Sequence, residues 1–473
     1  MSQCRKCSRF PEPGGAGANE KLDRISTLPD ELLGYMLSFL PTKCAVSTSV
    51  LSSRWRYIHL LTNCLSFDAT KTYDENHDGF EEDDKDDKKY FKRFVNRVLL
   101  FHKVSPIKSF HLTCGEYIYD DSHLRNWINV AIRKGVEQLH LRFRVKSNPL
   151  PLCLFTSHTV VELKIHVSIS HFQVPDSVHL PSLKILDLKE IRFSNSHSFG
   201  VLLSACPLLQ ELRIVSCRWS PLPGCHVRFS LRELKLLTIK SCDGQFEVDA
   251  PKLIDLELHC PHPHLRLVLS LKNADSLVKA HLSFSYMNES ANDFSSFKQH
   301  NVALIKAVHH AKELYVLGYS MKYLTLSDED HMPSYPNLLK LTLGRCSYAA
   351  WKYVAHWLGH SPRLQTLNFE QGLVKDGPRL RDEELPPTVA LAPFSSRLKV
   401  VNVSDFRGFA AELALVKYLL ENAGLLKRLV LRQLTYEMTR KQERQSNRKL
   451  LMFPRASKTC VVQVKGYRRD DDF

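Results

Sequence analysis

An α/β solenoid behind a short all-helical N-terminal segment is the architecture this sequence of 473 residues predicts. Three observations predict it. The pattern L-x-x-L-x-L recurs along most of the chain, clearest at Val136–Leu141, Val160–Ile165, Leu183–Leu188, Leu209–Ile214 and Leu234–Ile239. The central residues of these copies, Leu139, Leu163, Leu186, Leu212 and Leu237, are spaced 24, 23, 26 and 25 residues apart, within the period of roughly 20–29 residues typical of leucine-rich repeats. Three units also share a helix, a breaker and a strand, with junctions Cys206-Pro207-Leu208-Leu209, Ser361-Pro362-Arg363-Leu364 and Ala423-Gly424-Leu425-Leu426 that align without gaps. Proline cannot continue a helix and glycine accepts its left-handed cap, so each junction turns helix into strand. A unit with one apolar face can bury it only against its neighbours, which makes the array a solenoid.

Taken in order, residues 1–21 predict a disordered tail, because Pro11, Pro13 and three closely spaced glycines leave nothing to pack. Residues 22–68 read as helical. Pro29 stands at a favourable first-turn position, Asp30 and Glu31 face the positive helix end, and Pro41 stops the run. Leu32, Leu33, Met36, Leu37 and Leu40 form one broad apolar stripe, and a second helical run carries Ala45, Val46, Val50, Leu51 and Trp55. So much apolar surface exceeds what about 45 residues can hide internally. The surplus either docks another protein or caps the repeats. Residues 69–89 read as an acidic loop, with nine acids and only Lys85 as a base between Asp74 and Asp87. Helical spacing of Phe91, Phe94, Val95, Val98 and Leu99 follows, and repeats occupy 90–392.

Strand alternation turns the repeat leucines inward and their neighbours to the concave face. Arg142, Lys164, Asp187, Arg213, Lys240, Glu257 and His281 are the candidate target-binding residues there. Their mixed sign suits a protein or peptide; a nucleic-acid groove would be more uniformly basic and carry stacking aromatics.

The net charge of +15 is compatible with acidic partners but does not choose among them. Most of the 13 cysteines sit in apolar patterns, as Cys206, Cys217, Cys242 and Cys346 do, which fits a reducing compartment. No long apolar run predicts a membrane span and no apolar leader opens the chain, so the expected location is intracellular, in the nucleus or cytoplasm. Cys4-x-x-Cys7 lacks the second pair that a zinc site requires, and Cys260, His262 and His264 read as a loop interrupted by prolines. The phosphate-binding, zinc-protease and nucleophile-elbow motifs are absent, and no cofactor is expected.

Asp23 to Asp68 resembles an F-box: it has Leu28-Pro29, the run Leu37 to Lys43, and Thr48 to Ser52 leading into Arg54-Trp55-Arg56-Tyr57. The likeness is to plant F-box proteins with leucine-rich repeats and a C-terminal FBD region. Phe406-Arg407-Gly408, Glu412, Leu415 to Ala423, Pro454 to Ser457 and Cys460 carry the last part. The resemblance implies a leucine-rich-repeat horseshoe preceded by a small all-helical F-box domain at 22–68. It also implies terminal repeats in an FBD region at 393–466, with a tail at 467–473. It implies that Leu28, Pro29, Leu32, Leu33, Leu37, Leu40, Pro41, Val50, Leu51 and Trp55 form or support a docking surface for a Skp-type adaptor of a cullin–RING ubiquitin ligase. The repeats would then present a target protein, and the chain itself would be non-catalytic. Cys44, Ser47, Ser53 and His59 depart from the family pattern. The alternative is a stand-alone recognition scaffold with a ligase-incompetent F-box.

Overall fold

The computed structural model describes residues 25–70, 83–116, 121–145, 148–219, 226–261, 267–284, 294–318, 333–344, 351–373, 397–434 and 440–467, Ser26 excepted. Outside the described residues lie the N-terminal tail with Cys4 and Cys7, most of the acidic stretch, His262, His264, Cys346 and the last six residues.

One parallel sheet runs through the described chain. Its strands are β1 (Cys64–Asp68), β2 (Ser109–Glu116), β3 (Gln138–Arg144), β4 (Glu162–Phe172), β5 (Ile185–Phe193) and β6 (Glu211–Val215). After the short β7 (Arg218–Trp219), which pairs with β5, and the outlying β8 (His226–Ser230), the sheet resumes with β9 (Leu236–Lys240). It continues past β10 (Gly244–Asp249) with β11 (Asp255–Cys260), and past β12 (Leu267–Lys272) with β13 (Lys279–Phe284). The last six strands are β14 (Glu313–Gly318), β15 (Lys340–Leu343), β16 (Thr366–Phe369), β17 (Val400–Phe406), β18 (Arg428–Leu434) and β19 (Val461–Tyr467). Each main strand pairs with the next in sheet order and in the same direction. All-parallel pairing requires a crossover after every strand, which is what the repeat spacing provides.

The crossovers cover one face. After α1 (Asp30–Leu37) and α2 (Thr42–Ser47), which precede β1, they carry α3 (Asp83–Phe101), α4 (Asp121–Arg133), α5 (Ser196–Ser204), α6 (Phe294–Ala307), α7 (Trp351–His360), α8 (Ala410–Asn422) and α9 (Arg440–Met452). Between α5 and α6 the covering layer is a three-stranded parallel sheet, β12-β10-β8. Alternation places Val227, Phe229, Phe246 and Val248 in the core while His226, Arg228 and Glu247 stay outside. The repeat residues Leu139, Leu163, Leu186, Leu212 and Leu237 are all within 1% of complete burial and share one cluster with Leu202 and Leu203 of α5.

Glu190, Ser216, Ser241 and Asp405 each stand four residues after a central repeat residue and adopt positive φ, between 51° and 62°. Side chains seldom occupy this left-handed region, and here it turns the chain after β6 and β9 and bends it within β5 and β17. Beside two of these bends the Cys217 thiol donates to the Leu188 and Val215 carbonyls and the Cys242 thiol to that of Lys240 at 3.2 Å. These buried thiols are thus hydrogen-bonded to backbone carbonyls beside the bends, and the Lys240 carbonyl also accepts the Ser216 amide at 2.8 Å.

Two boundaries differ from the sequence reading. The segment read as helical through residue 68 ends its helical part at Leu61, and Cys64–Asp68 is the first strand of the main sheet. Its burial alternates, with Leu65 and Phe67 inside, a period-two signal that a five-residue strand makes easy to overlook. The helix read from Tyr90 instead begins at Asp83, inside the supposed acidic loop. A helix anchored by Phe91, Val95, Val98 and Leu99 extends back through a charged stretch, because propagating an existing helix needs no further apolar residues.

Candidate functional site

The helical segment has its own small core. Leu33, Leu37, Ala45 and Ile58 are buried, with Leu28, Trp55 and Leu61 packed against them. Gly34 is required at the crossing of α1 and the 3₁₀ helix Trp55–Leu61, since a Cβ there would lie 2.9 Å from the Leu61 Cβ. Arg54 pairs with Asp30 at 2.7 Å and also donates to the Leu28 carbonyl. Those bonds hold the Leu28-Pro29 entry against the second helical run.

This core divides the candidate docking residues. Leu33 and Leu37 are interior, and Leu28 and Trp55 are half-buried supports. Pro29, Leu32, Leu40, Pro41, Val50 and Leu51 face outward, with Val50 85% and Leu51 65% exposed. Tyr35, Met36, Phe39 and Tyr57 are also exposed, and Tyr35 and Phe39 form an edge-to-face pair at 5.1 Å. The sequence reading left these four out of its docking set. The i, i+4 spacing of Tyr35 and Phe39 at the end of α1 was an available signal for that pair. Cys44 and Ser53 are exposed, the Ser47 hydroxyl donates to the Lys43 carbonyl, and His59 is half-buried with its imidazole pKa pushed down by desolvation.

The segment is tied to the sheet at several points. Thr42 Oγ1 accepts a hydrogen bond from the Ser66 amide of β1 at 2.7 Å. The Lys108 amide donates to the Asn63 carbonyl at 2.7 Å, and Lys134 Nζ donates to the His102 carbonyl at 2.8 Å. His102 Nε2 lies 2.7 Å from the Thr62 carbonyl oxygen.

On the open face of the sheet, strand register sets the side chains in rows. The central row passes through His111, His140, Lys164, Asp187, Arg213 and Thr238, then Glu257, His281 and Tyr315, and on to Thr342, Asn368 and Asn402. Five candidate residues, Lys164, Asp187, Arg213, Glu257 and His281, lie in it, while Arg142 and Lys240 lie one row over. The candidates meet through acids. Glu162 pairs with His140 at 2.9 Å and Lys164 at 2.5 Å, Asp187 lies 4.0 Å from Arg213, and Glu257 lies 2.6 Å from Lys240 and 3.6 Å from His281.

Burial pushes the Glu162 carboxyl upward, but the bonds from Lys164 and His140 outweigh it and hold it below the usual range. His111 and His140 stack at 4.2 Å. Burial and then the neighbouring His140 bring the His111 imidazole down to about 4. Further along, charges give way to hydroxyl and amide groups: Lys340 donates to Tyr315 Oη at 2.7 Å, Asn368 to Thr342 Oγ1 at 3.1 Å and Asn402 to Asn368 Oδ1 at 2.8 Å. Such a face can bind polar groups without chemistry of its own. Among the described residues no group of three or more His, Cys, Asp and Glu side chains is placed to hold a metal, and no helix is long and apolar enough to cross a membrane.

Comparison with known proteins accords with both parts. Residues 98–465 match the family model described as At1g61320/AtMIF1, LRR domain. F-box/LRR-repeat protein At2g42720 of Arabidopsis thaliana is 28% identical over 94% of this chain and 100% of its own length. Putative F-box protein At3g58860 of the same organism is 30% identical over 74% of each chain. Putative F-box/LRR-repeat protein At5g41840, also from Arabidopsis thaliana, is 31% identical over 74% of this chain and 69% of its own. A parallel repeat sheet and these relatives together establish that the chain belongs to the F-box/LRR-repeat family.

Proposed function

We propose that the chain is the non-catalytic substrate receptor of a Skp/cullin/F-box ubiquitin ligase. Its F-box, the helical segment before β1, docks a Skp-type adaptor. The open face of the repeats holds a target protein, and the FBD region, 393–466, forms the terminal repeats. The observation that carries this reading is the exposed apolar face of the helical segment. Leu32, Phe39, Val50 and Leu51 stay in solvent although Leu33, Leu37, Ala45 and Ile58 already fill the segment's interior. So many exposed large apolar side chains on so small a unit favour a protein partner.

The receptor works by proximity. Anchoring a target beside the ubiquitin donor raises the local concentration of its lysines, and the bonds that join the F-box and the chain just after it to Ser66, Lys103, Lys108 and Ser109 limit how far the two ends swing. Co-expression with a Skp-type adaptor tests this. The wild-type chain captures the adaptor, and Val50→Asp with Leu51→Asp abolishes capture without unfolding the repeats. Capture unchanged by those substitutions overturns the docking assignment and leaves the chain a stand-alone scaffold.

A further inference from the structure

The open face looks mixed in sign when its residues are pooled, but strand register separates the charges into parallel rows. One row, at the residue before each central leucine, runs through Gln138, Glu162, Ile185, Glu211, Leu236 and Asp255 on β3, β4, β5, β6, β9 and β11. It holds three acids and no base. On the same six strands the row three residues after the leucine runs through Arg142, His166, Lys189, Val215, Lys240 and His259. It holds three Arg or Lys, two His and no acid. The face therefore changes sign along the strand direction, across the central row.

Acids do approach the basic row, but from outside it. Asp187 and Glu257 of the central row lie 3.3 Å from His166 and 2.6 Å from Lys240, and Glu190 at the bend within β5 lies 3.7 Å from Lys189. Arg142 is exposed and makes no ion pair among the described residues. Neighbouring strands are about 4.8 Å apart, so Arg142 to Lys240 spans four spacings, roughly 19 Å. An extended segment of about six residues covers that distance.

We infer that this basic row receives an acidic peptide segment of the target, lying across β3 to β9 with its carboxylates on Arg142, Lys189 and Lys240. The inference rests on reading the open face as the target-holding surface. Charge complementarity argues for an anionic occupant. The row has no Phe, Tyr or Trp and only His166 and His259 as smaller rings for stacking, which favours peptide over single-stranded nucleic acid.

The test is fluorescence anisotropy on the full chain, copurified with adaptor, using labelled decaglutamate at low ionic strength. Decaglutamine and oligothymidylate serve as comparison probes. Decaglutamate binds and is released by salt, decaglutamine does not bind, and combining Arg142→Glu, Lys189→Glu and Lys240→Glu weakens decaglutamate roughly tenfold or more. The milder Arg142→Gln, Lys189→Gln, Lys240→Gln set weakens it less, and circular dichroism shows both triple variants folded like the wild type. Lys279→Glu, on the opposite row of β13, leaves binding within about twofold. No decaglutamate binding, equal binding by the triple variants, or tighter oligothymidylate binding lost in those variants overturns the inference. Adaptor capture on the same samples is a separate readout, so its loss with decaglutamate binding intact counts against the docking reading alone.

Discussion

Thr42 Oγ1 accepts the backbone N–H of Ser66 at 2.7 Å, and the Thr42 side chain is only 4% exposed. Ser66 lies in β1, an edge strand of the main sheet whose pairing partner on one side is β2. A helix of the N-terminal segment thus supplies a side-chain acceptor where another strand would have supplied a carbonyl. Exposed sheet edges invite foreign pairing, and this contact helps cover one.

Replacing that hydroxyl isolates its contribution. Thr42→Val keeps the shape and leaves the Ser66 N–H without its acceptor, at an expected cost of about 1–3 kcal/mol. Thr42→Ser restores most of it. Urea unfolding gives the stability difference, and hydrogen exchange locates it: the Ser66 amide exchanges faster in the valine variant and recovers in the serine variant.

Gly34 sets how closely α1 approaches Trp55–Leu61. Gly34→Ala places a methyl 2.9 Å from the Leu61 Cβ and within 3.2 Å of its carbonyl oxygen, which are backbone-proximal atoms that cannot rotate away. The helices must separate, at about 1–3 kcal/mol by the usual cost of overpacking. Limited proteolysis reads the outcome, with cleavage accelerated in the helical segment and unchanged in the repeats.

Leu33 and Leu51 separate stability from docking. Leu33 is completely buried, so Leu33→Ala lowers the stability of the helical segment by about 2–5 kcal/mol. Leu51 is 65% exposed, so Leu51→Ala changes stability by no more than about 0.5 kcal/mol yet weakens adaptor capture. Thermal unfolding and adaptor titration on both variants check the contrast. Equal stability losses would mean that Leu51 belongs to the core.

The strands were legible because each central leucine or valine lies on the covered, buried face of its strand and recurs at a nearly constant spacing. The sheet β8-β10-β12 was not read, although His226-Val227-Arg228-Phe229 and Gln245-Phe246-Glu247-Val248 alternate with period two. Expecting a helix in each crossover masked that alternation. Among the docking residues, patterning placed Leu33 and Leu51 on the same apolar surface, and only packing against Ile58 shows which one faces inward. The charge rows lay within the repeat alignment but were missed because the flanking residues were pooled over the face. Arg142, His166, Lys189 and Lys240 each stand three residues after a central leucine, and strand register sets them in one row.

Glu412 predicts a dependence on pH. Its side chain is 1% exposed at the start of α8, where Oε2 accepts the Arg407 amide at 2.9 Å and Oε1 is buried without a partner. Burial raises its pKa to about 7, against the opposing pull of the backbone donors around it. A carboxyl with a higher pKa in the folded chain than in the unfolded one is bound to its proton more tightly when folded. Its stabilising contribution is therefore complete below the unfolded value near 4.5 and is lost as pH rises through about 7. The full swing is on the order of 3 kcal/mol. Glu412→Gln, which cannot ionise, removes this slope. Thermal melts from pH 5.5 to 8.5 should show the wild-type midpoint falling relative to that of the glutamine variant as pH rises. Parallel curves would mean that the carboxylate is held charged by the Arg407 amide and its neighbours despite its burial.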